Sequence, residues 1–145
     1  MKTPKKLPFF LLALSLFCAG FILVRDEPWN PFQLMEPKAL ADIITDPTRN
    51  QPLVINIGPS GSIKGAIDAN AAKDKENLTK LRERLSAEPK DKQIVLYCGC
   101  CPFKDCPNIR PAFSLLNDMG FKNHKLLNLP KNLKVNWIDK GYPMN

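Results

Sequence analysis

Gln93-Ile94-Val95-Leu96-Tyr97-Cys98-Gly99-Cys100-Cys101-Pro102-Phe103-Lys104-Asp105-Cys106-Pro107-Asn108 is the stretch on which the fold turns. Its first six residues form a short apolar run bounded by polar chain, which fits a buried strand. Asn108 stands where a helix N-cap is wanted. Ala112, Phe113, Leu115, Leu116 and Met119 then fall inside one helix, with Gly120 as its C-terminal stop. A strand, a loop and a helix succeed one another directly. The loop therefore lies outside the carboxyl end of a strand, where open α/β sheets bind their ligands.

The same alternation extends in both directions. Leu53-Val54-Ile55-Asn56-Ile57 is a second apolar run, bounded by Pro52 and Gly58-Pro59, and Lys125-Leu126-Leu127-Asn128-Leu129 is a third. Helices are expected from Pro37 through Leu40, Ile43 and Ile44 to Asp46-Pro47, and from about Glu76 to Ala87 with Leu78, Leu81 and Leu85 on one face. A last helical stretch carries Leu133, Val135, Trp137 and Ile138 and ends at Gly141-Tyr142-Pro143. Strands alternating with helices imply an α/β fold, a parallel sheet covered on both faces. Pro28, Pro31 and Pro37 make residues 25–35 an extended linker, and residues 36–145 the domain.

The chain has 145 residues, about one domain, and its 44% hydrophobic and 24% charged content is that of a globular protein. Its 14 prolines are roughly double the usual share of about 5%. Many fixed loops are therefore expected. The net charge of +7 falls to +4 over residues 25–145, because Lys2, Lys5 and Lys6 belong to an N-terminal signal. The remaining charges interleave, as in Asp74-Lys75-Glu76 and Arg82-Glu83-Arg84, so no nucleic-acid partner is expected.

Residues 1–24 read as an export segment. A basic start precedes Leu7–Val24, which is uncharged, and Arg25, Asp26 and Glu27 come after it. Ala19-Gly20 offers a cleavage point, and Cys18 is a weak lipidation site because Phe17 precedes it. Residues 7–24 also just reach the length of a bilayer span, which allows an anchor in the inner membrane. In either case the domain is expected outside the cytoplasm, in a periplasmic or otherwise extracytoplasmic space.

Four of the five cysteines, Cys98, Cys100, Cys101 and Cys106, share the loop. Backbone N–H groups and the helix dipole beyond them favour an anion there. Comparable settings lower a thiol pKa from about 8.5 to roughly 3.5–7.5. Cys98 is thus the candidate nucleophile. Gly99, Cys100, Cys101 and Asn108 are the candidate substrate-binding positions of the loop. Lys104 and Arg110 are the nearest cations for an anionic substrate. Cys100, Cys101 and Cys106 are candidates for a disulfide or for a redox partner of Cys98. Cys101–Cys106 is sterically plausible, whereas a vicinal Cys100–Cys101 bridge is strained. The reactive reading of Cys98 needs an ionised sulfur in a cup of amide dipoles, not one sealed beneath its neighbours.

From about residue 36 to 143 the chain resembles a single rhodanese (sulfurtransferase) domain. Leu53–Ile57 sits where that family has the strand ending in Asp-Val-Arg, here Asn56-Ile57-Gly58. Ser62-Ile63-Lys64-Gly65-Ala66-Ile67 is similar to the family's His-Ile-Pro-Gly-Ala-Ile. Ile94–Cys98 is similar to the strand that delivers the catalytic cysteine. Gly120-Phe121-Lys122-Asn123 and Trp137-Ile138-Asp139-Lys140-Gly141-Tyr142-Pro143 resemble its Gly-Phe-x-Asn and Trp-x-x-x-Gly-Tyr-Pro elements. The resemblance implies a three-layer domain with a roughly five-stranded, mostly parallel sheet flanked by helices. It also implies sulfane-sulfur transfer through a persulfide on Cys98. The partners implied are a donor such as thiosulfate and a thiol or cyanide acceptor. No cofactor is expected. The active-site loop is longer than the family's common loop and carries three extra cysteines.

Two other readings use the same residues. Cys98-Gly99-Cys100-Cys101 is a C-x-x-C on a strand-to-helix turn, as in thiol–disulfide oxidoreductases. Four thiols in nine positions could also hold zinc, copper(I) or an iron–sulfur cluster, although paired C-x₂-C knuckles are absent and no metal is expected. His124, the single histidine, is expected at a strand edge. A phosphatase of this shape needs Cys-x₅-Arg, and Lys104 occupies that position. No nucleophile elbow, P-loop or dinucleotide fingerprint is present.

Overall fold

β4 (Ile94–Tyr97) is the middle strand of a five-stranded sheet in the order β1-β5-β4-β2-β3. The other strands are β1 (Leu34–Met35), β2 (Leu53–Asn56), β3 (Ile67–Asp68) and β5 (His124–Leu127). Every pairing is parallel, with Val54 opposite Val95 and Leu96 opposite Leu126. The structure is a computed structural model describing residues 26–145. The expected export segment, with Cys18 and the Ala19-Gly20 cleavage point, lies outside the described residues. No helix among those residues is long and apolar enough to cross a membrane.

All four residues of β4 are buried, as a strand covered on both faces requires. Ile94 and Leu96 face α2 (Lys75–Leu85) and α3 (Ile109–Asp118), in a core that includes Leu81, Leu85, Phe113 and Leu116. Val95 and Tyr97 face α1 (Pro37–Thr45) and α4 (Leu133–Asn136), with Leu40, Leu133 and Trp137. The alternation carries one residue past the strand, so Cys98 joins the α3 face. Three layers result: two helices on each side of a sheet.

The ends of α1 and α3 obey local chemistry. Pro37 opens α1 and Asp46 closes it. After α3, Gly120 takes φ +77°, its N–H donates to Asn117 O at 2.9 Å, and the Phe121 N–H donates to Leu116 O at 3.1 Å. This is the paired closure that a left-handed glycine permits.

Residues 26–35 depart from the linker expected over residues 25–35. Trp29 is buried against Phe103 and Phe113, with ring centroids 6.1 and 5.7 Å away. A short 3-10 turn at Pro31–Gln33 leads into β1, which pairs with β5. The prolines fix this turn, and removing an indole from water outweighs the ordering of a few residues. The domain therefore begins before residue 36. The last helical stretch also divides: α4 stops at Trp137, whose φ −130° and ψ −62° break the helix, and a 3-10 turn comes next at Ile138–Lys140.

At the carboxyl edge of the sheet, the chain's tail folds back. Ile63 and Met144 form an antiparallel bridge, the Asn145 N–H donates to Ser62 O at 3.0 Å, and the Lys64 N–H donates to Pro143 O at 3.1 Å. The Tyr97 hydroxyl accepts from the Ile63 N–H at 2.9 Å and donates to Gly61 O at 3.1 Å. These bonds fix the segment after β2 beside the end of β4.

Candidate active site

Cys98 leaves β4 into a turn that only glycine can continue. Gly99 has φ +79°, and a Cβ there would stand 2.6 Å from Ser60 Oγ and 2.8 Å from Leu133 Cβ. Ser60 in turn donates its hydroxyl to the Cys98 carbonyl. On the other side of the sulfur lies Gly58, where a Cβ would collide with Cys98 Sγ and sit 3.0 Å from its carbonyl oxygen. The missing side chain at position 58 is the space that Cys98 Sγ fills. In the sequence, Gly58 stands out only as a departure from Asp-Val-Arg. Its contact with Cys98 links residues 40 positions apart, and no local pattern signals it.

Three loop residues converge on Cys98 Sγ. The Asn108 carboxamide nitrogen donates to it at 3.3 Å, and Cys100 Sγ lies 3.3 Å away. The sulfurs of Cys98, Cys100 and Cys106 all lie within 4.8 Å of one another. The Cys106 thiol beside it, then the Asn108 amide, the Cys100 N–H and the Cys100 thiol, hold the Cys98 pKa at about 5 against an ordinary 9.0, although burial opposes this. Cys100 is pushed up to about 12 by burial and by neighbouring Cys98. Cys106 is also raised, chiefly by donating to Cys98 and then by burial. One thiol is thus ionised at the expense of two that stay protonated, and a single negative charge is shared among donors.

The expected cup of backbone amides is largely absent. Of the loop N–H groups, that of Cys100 bears on the sulfur. Four more are used within the chain: Phe103 N–H to Leu129 O at 3.1 Å, Asp105 N–H to Pro102 O at 2.9 Å, Cys106 N–H to Phe103 O at 3.4 Å and Ile109 N–H to Cys106 O at 3.4 Å. The 3-10 turn at Phe103–Asp105 takes up the Asp105 and Cys106 N–H groups, and two thiols and a carboxamide face the sulfur instead. Asn108 occupies the N-cap position of α3 but makes no cap. Its oxygen accepts from the Lys73 N–H at 3.0 Å, and its nitrogen faces Cys98 and Cys106.

Nor is the sulfur open: the two conditions expected of a reactive Cys98, amide dipoles around it and access from solvent, are not met as expected, and what faces the sulfur instead is the Asn108 carboxamide and two thiols. Cys98 is 1% exposed, and Cys106 and Asn108 are buried with it. Cys100 is the exposed member of the group. All four loop cysteines are free thiols, with Cys101 Sγ 3.3 Å from Cys100 Sγ.

The two candidate cations stand apart from the thiols. Arg110 donates to Glu27 Oε1 at 2.6 Å and to Lys104 O at 2.8 Å, with its guanidinium 5.6 Å from the Trp29 ring centroid. It fastens the loop to the segment before β1. Lys104 is exposed and lines a cavity of about 510 Å³ with Leu34, Pro102, Phe103, Asp105, Asn128 and Pro130, none of them a cysteine. His124 begins β5, buried, with Nε2 2.8 Å from Asn117 Oδ1 and 3.4 Å from Gln33 Nε2. The three close sulfurs are the side chains that could gather a soft cation. Cys101, the fourth that a closed zinc site wants, lies outside that trio.

No protein-family model matches the chain, and a search of curated proteins finds no relative.

Proposed function

We propose that the protein is a rhodanese-like sulfurtransferase in which Cys98 carries sulfane sulfur as a persulfide. The observation that carries the reading is the placement of Cys98 Sγ at the carboxyl end of the middle strand, facing the Asn108 amide at 3.3 Å and the Cys106 thiol. Donors at that spacing suit a thiolate, and equally a terminal sulfur anion one bond further out. A thiolate formed near pH 5 needs no general base at neutral pH.

With thiosulfate as donor, the Cys98 thiolate attacks the outer sulfur. The S–S bond of thiosulfate breaks and sulfite leaves with the electron pair. Cys98 keeps the sulfur as a persulfide anion, and a thiol or cyanide accepts it in a second step. Because Cys98 is buried, the loop that carries the exposed Cys100 has to move for the donor to reach it. The chain would act outside the cytoplasm if residues 1–24 export it.

The test is mass spectrometry of the reduced protein after incubation with thiosulfate. A peptide containing Cys98 should gain one sulfur atom or pass it on as sulfide, and Cys98→Ser should do neither. Sulfur transfer retained by Cys98→Ser rejects the assignment. The second reading, thiol–disulfide exchange, is favoured by the 3.3 Å between Cys98 and Cys100. It requires disulfide exchange to run far faster than sulfur uptake.

A further inference from the structure

We infer that Cys100 is the first acceptor of the sulfur held on Cys98, so that the protein discharges it as hydrosulfide and closes a Cys98–Cys100 disulfide. The inference rests on the persulfide reading of Cys98 and adds the step by which the bound sulfur departs.

Position singles out Cys100. Its sulfur is 3.3 Å from Cys98 Sγ, whereas Cys101 is outside the group of mutually close sulfurs. Cys106 is fully buried and serves as a donor to Cys98. Cys98 is 1% exposed, so burial shields it from an external acceptor, whereas Cys100 already lies beside it. The acceptor nearest the bound sulfur is thus part of the chain. Gly99, at φ +79°, joins the two cysteines through a tight turn that brings their side chains together.

The step balances. The Cys100 thiol passes its proton to the terminal sulfur of the persulfide, and the resulting thiolate attacks Cys98 Sγ. The bond between Cys98 Sγ and the terminal sulfur breaks, and that sulfur leaves as HS⁻ with the bonding electron pair. A new bond joins Cys98 Sγ to Cys100 Sγ. In this step Cys100 is oxidised and the leaving sulfur is reduced, while Cys98 Sγ exchanges one S–S bond for another. An external dithiol, itself oxidised to a disulfide, restores the pair by exchange. Cys100 has the higher thiol pKa, so its thiolate is the stronger nucleophile once formed. A chain with this chemistry consumes thiosulfate and dithiol and yields sulfite and hydrosulfide.

The experiment is a single turnover without any external acceptor. Full-length protein is reduced with a phosphine, freed of it under anaerobic conditions and mixed with thiosulfate. Wild type should release close to one equivalent of sulfide per chain, lose two titratable thiols and show a Cys98–Cys100 linked peptide. Cys100→Ser should release at least an order of magnitude less sulfide per sulfur atom taken up, with the rest of that sulfur still on Cys98. Wild type that holds a stable persulfide without sulfide release overturns the inference and leaves the persulfide reading standing. Equal sulfide release from Cys100→Ser also overturns it. If neither chain takes up sulfur nor releases sulfide, both proposals fall together.

Discussion

Asn108 donates its side-chain amide to Cys98 Sγ at 3.3 Å instead of capping the helix that it precedes. The residue gives up a local bond worth about 1 kcal/mol to helix stability and makes a long-range one to a charged sulfur. Such a bond is worth about 1.5–3 kcal/mol, so the exchange favours the site.

Replacing Asn108 by Ala should therefore raise the Cys98 pKa by about one to two units, at 1.36 kcal/mol per unit. Ultraviolet absorbance of the thiolate, tracked against pH, reads this directly. An unchanged titration would mean that the thiols alone hold the charge. The uncapped end of α3 should change little, because the native side chain does not cap it.

Stability should depend on pH in two phases. Cys98 is lowered to about 5 from 9.0, so the native state binds fewer protons than the unfolded chain between those values. Its contribution is complete above about pH 9 and is lost as pH falls towards 5. Cys100, pushed up to about 12, and Cys106, also raised, work in the opposite sense above pH 9. Urea midpoints should rise from pH 5 to 9 and fall beyond it. Cys98→Ser should flatten the rise, and a rise of equal size in that variant would place its origin elsewhere.

Gly58→Ala should disturb the sulfur without touching its donors. The added Cβ meets Cys98 Sγ and approaches the Cys98 carbonyl at 3.0 Å. Overpacking of this kind costs about 1–3 kcal/mol. Chemical denaturation should show that loss, and sulfur uptake should slow with it. A variant as stable as wild type would show that β4 can shift away from residue 58.

Arg110→Ala separates anchoring from substrate binding. The guanidinium holds Glu27 at 2.6 Å and the Lys104 carbonyl at 2.8 Å. Its loss should lower stability by about 1–3 kcal/mol, as a backbone carbonyl and a half-buried carboxylate lose a charged donor. The KM for thiosulfate should stay within about twofold. A KM raised tenfold or more (about 1.4 kcal/mol) at unchanged stability would instead place Arg110 on the donor.

The three apolar runs at 53–57, 93–98 and 125–129 are legible because a strand covered on both faces is apolar at most of its positions. β1 and β3 are not. Each has two residues, too few for any period, and Leu34–Met35 and Ile67–Asp68 become strands through their partners β5 and β2. Trp29 is hidden for a related reason, since a proline-rich neighbourhood looks the same whether it spans open water or lies against a core. At the site, strand end and cysteine count single out Cys98. Several amides expected to cradle it are already committed to other carbonyls of the chain, and only the folded loop reveals how its hydrogen bonds are divided. Asn108 is marked by its position but not by its role, because an N-cap and a donor to sulfur call for the same side chain.

The clasp formed by Pro143, Met144 and Asn145 on Ser62, Ile63 and Lys64 has a practical bearing. Ser60, which braces the carbonyl of Cys98, stands two residues before that clasp. Loosening any bond of this clasp pulls on the segment that braces Cys98.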